Sequence, residues 1–171
     1  MKLSTREMTL FALLGALMYV SKVIMEMLPN IHLLGVFVVA FTMVYRKKAL
    51  YPIYIYVFLN GSFSGFSVWW IPYLYIWTIL WGMVMLLPKN MPKKVRPIVY
   101  MLVCSAHGFL FGTLYAPIQI VLFGFNLKAV VAWIIAGLPW DCIHGISNFF
   151  CGMLIVPIVS VLSRTEHYVE R

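Results

Sequence analysis

Apolar runs recur from one end of this chain to the other, and each is closed by a short polar or basic link. Residues 31–45 show the pattern: fifteen positions without Asp, Glu, Lys or Arg, followed at once by Arg46-Lys47-Lys48. A water-soluble domain keeps about a quarter of its residues charged. This chain of 171 residues has 11% charged and 63% hydrophobic residues, so water cannot be the solvent for most of its surface. The runs are expected to be helices, because only a helix satisfies its own backbone in hydrocarbon without a closed barrel.

The formal charge of +8 would suggest nucleic acid in a soluble protein. Here the basic residues sit between apolar runs, which is the pattern of cytoplasmic loops in membrane proteins, and no nucleic-acid partner is expected. The runs predict an all-α polytopic membrane protein, one integral domain over 1–171, with six transmembrane helices near 9–28, 31–45, 50–62, 70–87, 98–116 and 129–162. The first run lacks a small-residue cleavage site after it and reads as a retained span. The second is short against the ~20 residues of a perpendicular crossing.

Six crossings place both termini on one side, and charge selects it. Lys2, Arg6, Arg46, Lys47, Lys48, Lys89, Lys93, Lys94, Arg96, Arg164 and Arg171 fall on that side, against Lys128 and Lys22 on the other. Eleven against two predicts N-in/C-in.

Within the last run, Asp141, His144, Gly145, Asn148 and Gly152 follow a helical spacing and share one face. An acid in hydrocarbon is costly unless it is paired or lines a cavity, so Asp141 carries the most information. The fifth run places His107, Phe111 and Tyr115 at i, i+4 and i+8, with Gly108 and Gly112 beside them. His107 and Asp141 come out at similar depth, so a His107–Asp141 hydrogen bond or a shared ligand site is expected. Two readings stand: Asp141, His144 and Asn148 tie helices together, or they border a substrate cavity.

Trp69, Trp70 and Tyr73 open the fourth run, and Gln119 follows Ala116-Pro117. Aromatics at a span edge mark the interface or line a rim for a flat ligand. Gly61 to Gly65 reads as a compact loop, a simple turn or a lid. Cys104, Cys142 and Cys151 lack zinc spacing, and Asp141-x-x-His144 alone is a weak metal signal, so no metal is expected. Ser64 with a histidine base would need matching depths, which the spans do not give it. No phosphate-binding glycine loop is present, so no ATP engine is expected on this chain.

Early in the first run, Ala12, Gly15 and Ala16 form a small-residue stripe that lets another helix approach. This stripe, together with Gly137-Leu-Pro-Trp-Asp-Cys-Ile-His-Gly-Ile-Ser-Asn-Phe-Phe in the last run, resembles the substrate-binding S component of energy-coupling factor (ECF) vitamin transporters. The resemblance extends over nearly the whole chain and implies an S-component-like bundle in a bacterial cell membrane. It also implies a small-molecule micronutrient as ligand, and a T transmembrane subunit and two cytoplasmic ATPases as partners. Ala12 and Ala16 would then contact the T subunit, and no cofactor would be held by this chain. A stand-alone secondary transporter or channel is the alternative, and an intramembrane enzyme using His107, Asp141 and His144 a further one.

Overall fold

In the computed structural model, which describes residues 3–88 and 90–169, every regular element is helical. The α-helices are α1 (Thr5–Ile24), α2 (Leu34–Tyr45), α3 (Leu50–Ser64), α4 (Tyr73–Met85), α5 (Arg96–Phe109), α6 (Phe111–Phe123), α7 (Leu127–Cys151) and α8 (Ile155–Val169). Short 3₁₀ turns and one break join them into five helical units: Thr5–Met27, 34–64, Tyr73–Met85, Arg96–Phe123 and Leu127–Glu166.

The expected six crossings are not found. Three units are long and apolar enough to cross a membrane: Thr5–Met27 with 23 residues, Arg96–Phe123 with 28 and Leu127–Glu166 with 40. The other expected spans become α2, α3 and α4, with 12, 15 and 13 residues. At 1.5 Å per residue these reach only about 18–22 Å, short of the ~30 Å hydrocarbon core. Their apolar character has a different cause. Ten of the 12 residues of α2 are buried, Val36, Val38, Val39, Ala40 and Phe41 completely. An apolar helix of this length enclosed by others is a core helix. It packs against α4, α5 and α8.

Around that core the long helices turn apolar faces outward. On α1, Phe11, Leu14, Gly15 and Met18 are buried, whereas Leu13, Leu17, Val20 and Ile24 are exposed. Gly15 lets α1 press on α3: a Cβ there would lie 2.5 Å from the Ile55 side chain and 3.0 Å from the Pro52 carbonyl. α1 begins with a capping box, in which Ser4 Oγ accepts from Glu7 N–H and Glu7 Oε2 accepts from Ser4 N–H. This box satisfies two of the first-turn donors.

The links between helices gather the basic segments at one end. Lys48 pairs with Glu7, Arg46 Nη2 donates to the Met85 carbonyl at 3.3 Å, and Trp81 Nε1 donates to the Arg46 carbonyl at 3.0 Å. Lys2, Lys89 and Arg171, counted in the charge balance above, lie outside the described residues. At the opposite end the expected 61–65 loop is largely helix, since α3 continues to Ser64 and stops at Gly65 with φ 91°. The chain then folds back over Gly61, and Trp70 Nε1 donates to the Val57 carbonyl at 2.8 Å.

Candidate functional site

α7 runs antiparallel to α5 and α6 along a seam of small residues. A Cβ on Gly108 would meet the His144 carbonyl at 2.8 Å and Gly145 Cα at 2.9 Å, and one on Gly152 would meet Met101 Cα at 3.0 Å. Backbones that close leave no room for side chains, so polar groups on the seam bond to the facing helix. Ser105 Oγ donates to the Gly145 carbonyl at 2.8 Å, and Asn148 Nδ2 donates to the Cys104 carbonyl at 3.3 Å. Asn148 is therefore a tie between helices.

Asp141 has another role. The helical unit breaks at Leu110, between α5 and α6, so Gly112 falls in the first turn of α6. Amides of a first turn have no acceptor in their own helix. Asp141 Oδ1 reaches across from α7 and accepts from Gly112 N–H at 2.9 Å. The carboxylate thus caps α6 from a neighbouring helix, at the end where the helix dipole favours negative charge. Its other oxygen, Oδ2, is buried without a partner.

The expected His107–Asp141 hydrogen bond is not formed. His107 Nε2 lies 3.1 Å from the Ile76 carbonyl, so it donates there, and its ring packs on Trp77 at 5.7 Å. The unexpected partner is His32, on the link between α1 and α2. Its Nε2 lies 2.8 Å from His144 Nε2, one ring donating and the other accepting. Ser147, one turn from His144, shares its hydroxyl proton between the His144 carbonyl at 3.0 Å and the Asn30 carbonyl of the same link at 3.2 Å. Burial first, and then the His144 ring, lower the His32 pKa to about 3, so this imidazole is neutral near neutral pH.

Between α6, α7 and the Asn30 link lies a cavity of about 340 Å³. Phe111, Tyr115, Trp133 and Trp140 give it aromatic walls, Gly112, Ala136 and Gly137 give it room, and Asp141, His144 and Asn30 bring polar groups. Its size and its mix of apolar wall with few polar groups are those of a small-molecule site. A larger groove of about 670 Å³ runs along the outside of α3 past Tyr51, Tyr54 and Phe58. The groove has no buried polar group to orient a ligand, whereas the buried Asp141 and His144 border the smaller cavity, so the smaller cavity is the candidate.

Of the residues expected to bind substrate, the cavity brings together Tyr115, Asp141 and His144. The others lie elsewhere. Trp69 uses its carbonyl to accept from Tyr115 Oη at 2.9 Å, Trp70 is bound to α3, and Tyr73 meets Trp77 and Tyr115 edge to face. Gln119 is buried on α6 away from the lining, His107 is held by Ile76, and Asn148 lies deeper on the seam. Asn30, Trp133 and Trp140 in the lining, and His32 against His144, were not among the expected residues. Trp133, Gly137, Trp140, Asp141 and His144 recur at helical spacing, so the α7 part was there to be found. Among the described residues, no group of three or more His, Cys, Asp or Glu side chains could hold a metal ion.

No family model, no curated protein and no solved structure matches this chain. Fold and composition define a small all-α membrane protein with a few spanning helices.

Proposed function

We propose that the protein is a membrane-embedded substrate-binding subunit that takes a small, flat, partly polar molecule into the cavity beside Asp141 and works as the S component of an ECF-type importer. One observation carries this reading. A buried carboxylate whose second oxygen has no partner borders a cavity with four aromatic walls. A purely structural cap would not need that space next to it. By the positive-inside rule the basic end faces the cytoplasm, with the start of α1 and the end of α8 at it, in a bacterial cell membrane. The cavity lies in the half away from that end, as an importer's first binding site should.

In this reading ATP is hydrolysed by partner chains, and a T subunit docks on α1. Ala12 is exposed there and Ala16 half-buried, while Gly15 is occupied by α3 and not free for a partner. Native mass spectrometry of gently extracted protein tests the proposal. The expected result is a complex with a large helical membrane chain and two ATPases, carrying a small ligand. A lone chain that retains ligand would replace the importer subunit by a stand-alone transporter.

A further inference from the structure

The cavity's polar groups are unequal, and their inequality bears on what it can hold. The Tyr115 hydroxyl already donates its proton to the Trp69 carbonyl, so it has no donor left to offer a ligand. His144 and His32 share one proton between their Nε2 atoms, and the buried His32 ring is neutral near neutral pH. Asp141 is 4% exposed, and its Oδ2 lacks a partner even though Oδ1 is satisfied by Gly112. No lysine or arginine lines the cavity among the described residues.

From this lining we infer that the ligand is a small organic cation, an amine or amidine on a flat ring, with its N–H groups directed at Asp141 and its ring between the aromatic walls. The inference rests on the reading of the cavity as a ligand site and adds the chemical class. Two effects act in the same direction. A charged N–H donor satisfies the carboxylate oxygen that is otherwise buried without a partner. Aromatic faces attract a cation through their quadrupole, most strongly where water is excluded. A carboxylate or phosphate ligand meets the opposite: a like charge at Asp141 and no basic side chain to offset it. A neutral ring gains the walls alone.

Benzamidine, benzamide and benzoate have nearly the same shape and differ in charge, so they separate these contributions. The purified full chain in micelles is titrated with each, following quenching of tryptophan fluorescence, with Trp133 and Trp140 in the wall as reporters. Benzamidine is expected to bind saturably and roughly tenfold or more tighter than benzamide, and benzoate not to bind. Asp141→Asn keeps an oxygen to cap Gly112 and should reduce benzamidine to the level of benzamide. Trp140→Leu should weaken benzamidine and benzamide together. Benzoate binding as tightly as benzamidine, a benzamidine preference that survives Asp141→Asn, or no saturable benzamidine binding at millimolar concentration would overturn the inference. Should Asp141→Asn not fold, the ranking of the three probes on the parent and on Trp140→Leu decides. Absence of partner chains in mass spectrometry would remove the importer reading alone and leave this ranking as it stands.

Discussion

Gly108→Ala adds one methyl group at the closest point of the α5–α7 seam. The new carbon would lie 2.8 Å from the His144 carbonyl oxygen, 2.9 Å from Gly145 Cα and 2.8 Å from Asn148 Nδ2. The Asn148 amide could swing aside, but two of these three neighbours are backbone of α7, so the helix itself must move. Overpacking of this kind costs about 1–3 kcal/mol. Replacing a glycine inside a helix returns up to about 1 kcal/mol of helix propensity, and less in the last turn of α5, where Gly108 lies. The net expectation is destabilisation by about 0.5–2 kcal/mol, with the Asn148–Cys104 and Ser105–Gly145 hydrogen bonds stretched together. Gly82→Ala is the matched control, because a Cβ there meets nothing within 4 Å and only the propensity gain applies. Thermal unfolding of both variants in the same micelle, followed by circular dichroism, measures the difference, at about 2–4 °C per kcal/mol for a chain of this size. A Gly108→Ala protein as stable as Gly82→Ala would refute the seam as a close backbone contact.

Asp141→Ala should cost about 1–2 kcal/mol by leaving Gly112 N–H without an acceptor, and Asp141→Asn clearly less; the same melts compare them. His32 is held neutral when folded and titrates near 6.5 when unfolded, so its contribution is nil above that pH. Below about pH 6.5 only the unfolded chain gains the proton, and stability falls by up to about 1.4 kcal/mol per pH unit as pH drops toward the folded value. Parent and His32→Gln melted in parallel across that range should diverge, the parent losing more. Ala12→Leu should impair capture of partner chains without lowering the melting temperature, whereas Gly15→Leu should lower it by driving α1 off Ile55; co-purification and melts on both separate the two faces of α1. Glu7→Gln removes the charge facing Lys48 and should cost less than about 1 kcal/mol, shrinking further in high salt.

The class of the protein was legible because solvent chooses composition, and no soluble fold tolerates so many apolar runs. The number of crossings was not, and α2 shows why. A helix facing lipid and a helix enclosed by other helices are equally apolar, so hydropathy along 34–45 could not tell bilayer from core. Length was the available signal, since the fifteen uncharged positions of 31–45 already fall short of a crossing. At the cavity, helical spacing on α7 placed Asp141 and His144 on one face, where both line it. It did not find Gly112 as the partner of Asp141, because that contact depends on the break at Leu110 freeing one amide. His32 was invisible for a related reason: it lies 112 positions from His144 in the chain, in a link without periodicity.

The enclosure of α2 also has a consequence for how the chain is made. Most of its cover comes from α4, α5 and α8, which all follow it in sequence, so at a ribosome α2 emerges with only α1 among its neighbours already made. A segment of about 18 Å cannot rest across the bilayer by itself, and its greasy surface cannot rest in water. Until α8 closes against it, α2 must be sheltered by the insertion machinery or lie flat at the lipid boundary. A helix made more than a hundred residues after α2 is thus the one that completes its cover.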